Sequence, residues 1–121
     1  MKWEIRYLPE AEKDFKKLDQ SQRILVRKAI KKVQQNPLPV SEGGYGKPLG
    51  GKGGRDLTGF LKIKLRQAGI RIVYTLIRTQ TEMLIVVIGM REDSEVYETA
   101  ARRKIEIKNH FRSGKEESEN E

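Results

Sequence analysis

The chain has 121 residues, with 25 Lys or Arg against 17 Asp or Glu and a formal charge of +8, a length that suits one domain able to bury a core. It has no cysteine, and its single histidine, His110, cannot build a histidine metal site or a Ser-His-Asp triad in the body of the fold, so disulfides and Cys-ligated metals are excluded as well. No apolar run approaches the ~18–20 residues of a membrane span, and the start lacks a secretory apolar stretch; a cytoplasmic protein with no membrane contact is expected.

The charge is uneven. Lys115–Glu121 carry a net −3, which leaves +11 on residues 1–114. An excess of that size suits a polyanionic partner, nucleic acid above all.

Along the chain, Trp3, Ile5 and Tyr7 alternate with Lys2, Glu4 and Arg6, the period of a half-buried strand. Pro9 suits the first turn of a helix, and Ala11, Phe15 and Leu18 recur on one helical face, ending near Asp19. Asp19 or Ser21 can cap a second helix, and Asp19 with Gln22 has capping-box spacing. Leu25, Val26, Ala29, Ile30 and Val33 form its apolar stripe, and Asn36-Pro37 stops it.

From Pro37 to Gly59 the chain looks like a loop, rich in glycine and carrying Pro39 and Pro48. Gly46-x4-Gly51-Lys52 approaches a phosphate-binding loop. However, Gly53 stands where Ser or Thr would bind magnesium, and no buried strand leads in, so a flexible connection is expected.

Three strands follow, Phe60–Arg66, Ile70–Arg78 and the wholly apolar Met83–Ile88, the last expected at the centre of the sheet. Their short links predict an antiparallel meander. Asp93 or Ser94 then caps a final helix to about Lys108, whose last turns gather Arg102, Arg103 and Lys104 at the negative helix end. The expected class is α+β: a four-stranded antiparallel sheet in the order βααβββα, with the helices on one face. One domain spans residues 1–108, and residues 109–121 form a polar acidic tail.

Strand parity puts Lys62, Lys64 and Arg66 on one face. With Ala68-Gly69 as a two-residue turn, Arg66 opposes Arg71, Lys64 opposes Val73 and Lys62 opposes Thr75. All four cations then project together, away from Leu61, Ile63, Leu65, Ile70, Ile72, Tyr74 and Leu76. Like charges directly opposite destabilise a hairpin, so such a face suggests an anion to be held; a solvated outer face of a basic sheet is the alternative. Past the third strand, Arg91 and Tyr97 are placed to add a cation and an aromatic ring, the parts used to hold phosphates and stack splayed bases of single-stranded RNA. Tyr97 as a partly buried helix residue above Ala101 is the competing assignment.

Three linked blocks carry a resemblance: Phe60-Leu61-Lys62-Ile63-Lys64-Leu65-Arg66, Gly69-Ile70-Arg71-Ile72-Val73-Tyr74, and Gly89-Met90-Arg91-Glu92-Asp93-Ser94-Glu95-Val96-Tyr97. With the helical hairpin and Asn36-Pro37 they resemble, over roughly residues 2–105, the RelE family of toxins from toxin–antitoxin pairs. The resemblance implies a fold like that of the microbial ribonucleases, cleavage of mRNA in the ribosomal A site without metal or cofactor, and a cognate antitoxin, RelB-like or other, that wraps the toxin. Ribosome and mRNA are the other implied partners, with no small-molecule ligand.

It also implies a catalytic set of Lys62, Lys64, Arg71, Arg91 and Tyr97, with Arg66 binding RNA. Lys64 would be general base on the 2′-hydroxyl and Arg91 the proton donor to the leaving 5′-oxygen. Lys62 and Arg71 would hold the phosphate, and Tyr97 would stack or orient the nucleotide. A lysine, with an ordinary pKa of about 10.4, needs neighbouring cations to serve as a base, and those cations also stabilise a phosphorane. Without a histidine, cleavage should be slow unless the ribosome positions the substrate.

Met90 and Asp93 stand where the family often has basic residues, and the glycine-rich loop and the tail are longer. These departures bear on the ribosome and antitoxin contacts. A ParE-like inhibitor of DNA gyrase, with the same fold, and a non-catalytic RNA-binding module are the alternative functions.

Overall fold

A computed structural model of the chain describes residues 2–52, 55–90 and 95–109. Strand β1 (Glu4–Tyr7) leads into helices α1 (Pro9–Lys16) and α2 (Gln20–Gln34). Strands β2 (Lys47–Lys52), β3 (Arg55–Leu65), β4 (Ile70–Ile77) and β5 (Glu82–Met90) follow, then helix α3 (Glu95–Arg102). After a turn at Arg103, residues 104–109 are helical again.

Local signals formed the two N-terminal helices as expected, although Leu25 of the expected apolar stripe is exposed. Pro9 opens α1. The capping box at α2 is complete: Gln22 N donates to Asp19 Oδ1 at 2.8 Å, and Asp19 N donates to Gln22 Oε1 at 3.0 Å. Such a cap stabilises a helix by about 1 kcal/mol. Val26, Ile30 and Val33 of α2 are buried. The Tyr74 hydroxyl, fully buried, donates to Pro37 O at 2.9 Å just past the end of α2, and burial pushes its phenol well above the usual tyrosine range. Gly46 fits closely here, since a Cβ would come within 2.6 Å of both the Tyr74 hydroxyl and Leu61 Cδ2.

The fold is α+β, but the sheet departs from expectation. It has five strands in the spatial order β1-β5-β4-β3-β2, and β1 runs parallel to β5, so it is mixed rather than four-stranded and antiparallel. The additional strand, β2, comes from the glycine-rich stretch. Its sequence, Lys-Pro-Leu-Gly-Gly-Lys, has little strand propensity, and it pairs because it lies at the sheet edge, where proline is tolerated. A bulge between Pro48 and Gly50, with Gly50 at φ +61°, accompanies the burial of Leu49. Strand β5 is interior, flanked by β1 and β4, while β4 holds the central place.

Helices cover both faces, not one. The α1–α2 hairpin lies on the face of Leu61 and Tyr74, and α3 lies on the other. That second face is only partly polar: Phe60, Val73 and Val87 are buried on it, and apolar strand residues require cover.

The expected single final helix breaks after Arg102, and Arg103 turns inward instead of sitting at a helix end. Its Nη1 donates to Asp14 Oδ2 at 2.8 Å and to Val86 O at 2.7 Å. Asp14 Oδ2 also accepts from Ile88 N at 3.1 Å. The pair thereby satisfies the β5 edge beyond Tyr7, whose partner Ile85 is the last residue covered by β1. The capping residues Asp93 and Ser94 and the tail beyond Asn109 lie outside the described residues. Among the described residues no helix is long and apolar enough to cross a membrane.

Candidate nucleic-acid interface

The β3–β4 hairpin brings the cations together, with a register two residues away from the expected one. Leu65 pairs with Ile70, Lys64 with Arg71 and Lys62 with Val73. A two-residue type I′ turn would need a positive φ at Ala68 as well as Gly69. Only Gly69 has one, at +67°, and the loop closes over four residues with Gly69 N donating to Arg66 O at 3.3 Å. A shift of two preserves parity, so Lys62, Lys64 and Arg71 do share a face. It changes the partners: Arg71 opposes Lys64, and Arg66 leaves the strand for the exposed turn.

Sequence reasoning missed a further cation. Lys47 of β2 pairs directly with Lys62, which extends the row of cations from Arg71 to the sheet edge. Its only signal was a lysine beside Pro48 in a segment that looked like a loop.

Helix α3 adds the aromatic residue. Gly89 pairs with Arg71 across β4 and β5, and a Cβ at Gly89 would come 2.6 Å from Val96 Cγ2. The missing side chain lets α3 settle onto the sheet, and the next residue, Tyr97, reaches the cations. Arg71 Nη1 donates to the Tyr97 hydroxyl at 2.8 Å, and the guanidinium carbon lies 5.7 Å from the ring centroid, within cation–π range. Tyr97 is half-buried, and its polar end meets the cationic face through Arg71.

The electrostatics follow from crowding. The charge of Lys62, then burial, then the charge of Arg71 hold the Lys64 amine below the usual lysine range. A depression of about 190 Å³ opens beside these groups at the hairpin tip, lined by Lys64, Arg66 and Arg71 with Leu65, Gly69 and Ile70. Among the described residues no carboxylate lines it. The face can therefore hold an anion, beside an amine that its neighbours make easier to deprotonate than an ordinary lysine. Arg91 lies outside the described residues. Among the described residues no cluster of His, Cys, Asp or Glu has the makings of a metal site.

No protein-family model matches the chain. A curated relative from Escherichia coli, described as a putative RelE-like toxin protein, is 32% identical over 104 residues, covering 85% of this chain and 98% of the relative. The mRNA interferase toxin RelE of E. coli strain K12 is 31% identical over 91 residues, covering 75% of this chain and 85% of that protein. Among solved structures, a mutant of the E. coli toxin RelE in the free state aligns with a TM-score of 0.67 at 27% identity, covering 85% of this chain and 98% of the other. A mutant E. coli RelE in complex with a peptide of the antitoxin RelBc aligns with a TM-score of 0.60 at 27% identity, covering 83% and 95%.

Proposed function

This chain belongs to the RelE toxin family, and from that premise we propose that it is the toxin of a toxin–antitoxin pair and an endoribonuclease that cuts messenger RNA on the ribosome. The observation that carries the proposal is the shared face of Lys62, Lys64 and Arg71, with Arg71 bonded to Tyr97. A gyrase inhibitor has no need of clustered cations beside a stacking ring.

Each group has a defined task. Lys64, lowered by its neighbours, takes the proton from the 2′-hydroxyl as general base. The 2′-oxygen attacks phosphorus, the bond from phosphorus to the 5′-oxygen breaks, and a 2′,3′-cyclic phosphate is left. Arg91 delivers a proton to the leaving 5′-oxygen. Lys62 and Arg71 hold the phosphate and, as fixed cations, stabilise the charge that builds on the phosphorane without recourse to a metal or cofactor. Tyr97 orients the nucleotide, and Arg66 in the exposed turn contacts RNA. With no histidine in this set, positioning by the ribosome supplies much of the rate.

The catalytic unit is residues 1–108, with 109–121 as an appended acidic tail, and the chain works in the cytoplasm. A basic toxin of charge +8 suits an antitoxin of opposite charge, and the RelE complex with an antitoxin peptide supports an antitoxin partner.

The test is expression without an antitoxin. Growth should stop, and mapped mRNA 5′ ends should move to positions within codons. Unchanged ends with gyrase inhibited would replace the proposal by the ParE-like activity, and RNA binding without new ends would leave only a binding module.

A further inference from the structure

Strand β2 ends its pairing at Lys47, opposite Lys62. Among the described residues no strand lies beside β3 beyond that point on this edge, and the space left open is a second depression of about 350 Å³. Lys47, Lys64 and Arg66 stand around it. Leu25 of α2, 45% exposed, lines it with Leu65 and Ala68. Among the described residues no carboxylate lines it. Three cations beside Leu25, Leu65 and Ala68 bring charge and apolar surface together in one depression, the mixture a ligand with both characters uses.

The two depressions are neighbours. Lys64, Leu65 and Arg66 line both, so they lie on either side of the β3 tip. A strand whose phosphate is held at Lys64 and Arg71 has its next nucleotide delivered to the second depression by its own backbone, at high effective concentration. A run of acidic side chains, as in poly-glutamate, would use the cations and leave Leu25 and Ala68 unused. A nucleotide uses both, with its phosphate on the cations and its base on the apolar floor.

We infer that the depression between Leu25, Lys47 and Arg66 is a second nucleotide subsite, which takes the nucleotide one step beyond the pair joined by the scissile phosphate of the same single-stranded RNA. Lys47 and Arg66 hold its phosphate, and Leu25 and Ala68 bear against its base. The inference rests on the RNA-cutting activity proposed above and assigns Lys47 and Leu25 a role in substrate recognition.

The full chain is titrated with 2′-O-methyl oligoribonucleotides, which lack the attacking hydroxyl, as a dinucleotide and as a tetranucleotide. The tetranucleotide should bind more tightly. Lys47→Gln and Leu25→Asp, both at exposed positions, should each remove roughly five- to tenfold of that gain and lower dinucleotide affinity by a smaller factor. Lys47→Gln should also lower the salt slope by about 0.7, the value for one phosphate contact on a single strand. Thermal melts confirm that both variants fold.

Equal losses for the two lengths, or no loss for either, overturn the subsite while the cleavage proposal stands. Loss of binding to a poly-glutamate peptide with RNA binding intact assigns the depression to a protein partner and overturns it too. Failure of the unaltered chain to bind either oligonucleotide, together with unchanged mRNA ends in cells, overturns both.

Discussion

Two groups of charges in this molecule are arranged in opposite ways. At the edge of β5, Asp14 and Arg103 face each other with side chains 15% and 13% exposed, and each also bonds to the strand's backbone, through Ile88 N and Val86 O. On the α3 side of the sheet, Lys47, Lys62, Lys64 and Arg71 stand in adjoining register positions with like charge against like. The first arrangement is complete within the chain: opposite charges and backbone groups satisfy one another and tie α1, β5 and the C-terminal segment together. The second sets like charge beside like: crowded cations repel and hold Lys64 below its usual range. The first region locks the fold, and the second gathers positive charge of the kind that can hold an anion.

Substitutions should separate the two regions cleanly. Lys64→Ala is expected to have the largest effect on activity, a loss on the order of 10²–10⁴ in ribosome-dependent cleavage for removal of a general base. Stability should be unchanged or slightly raised, because one repelling charge is gone. A variant that retains full toxicity would remove Lys64 from the mechanism.

Asp14→Ala should act in the reverse sense. Leaving Arg103 without its partner in a nearly buried site is expected to cost about 3–5 kcal/mol, measured as a lower urea midpoint at unchanged slope. The double variant Asp14→Leu with Arg103→Met should recover part of that loss, since an apolar pair no longer buries a lone charge. A cost under about 1 kcal/mol would place the pair with ordinary surface salt bridges.

The smallest effect is the most specific. The charge of Lys62 is the leading cause that lowers Lys64, so Lys62→Gln should let the Lys64 amine rise toward its ordinary value. A general base works in its neutral form, so the rate climbs as pH rises through its pKa. The kcat–pH profile of Lys62→Gln should therefore lie at higher pH than that of the unaltered chain. A profile lowered at every pH without displacement would confine Lys62 to phosphate holding.

The legible parts of this protein were those set by neighbours in the chain. The Asp19–Gln22 box, Pro9 at the helix start and the common face of Lys62 and Lys64 each depend on residues two to four apart, and each formed as expected. The hairpin register was two residues off because the two-residue turn would have required Ala68 to take the left-handed conformation that Gly69 alone adopts. Lys47 was illegible, since Pro48 and the glycines around it carry no strand signal, and only the exposed edge of β3 makes them a strand. Arg103 looked like a solvated helix-end cation, and nothing near it in sequence marks its partner Asp14, 89 positions away.

By itself the sequence determined the α+β class, the helical hairpin and the parity that groups Lys62, Lys64 and Arg71. Period-two alternation and capping are short-range geometry, written wherever the residues occur. Only the tertiary structure decided that β1 joins in parallel, that β2 exists and carries Lys47, and that α3 seats on Gly89 to bring Tyr97 to Arg71. Those choices turn on which distant surfaces fit together, and the fit at Gly89 is set by a side chain that is absent, a feature that gains meaning only when Val96 lies above it.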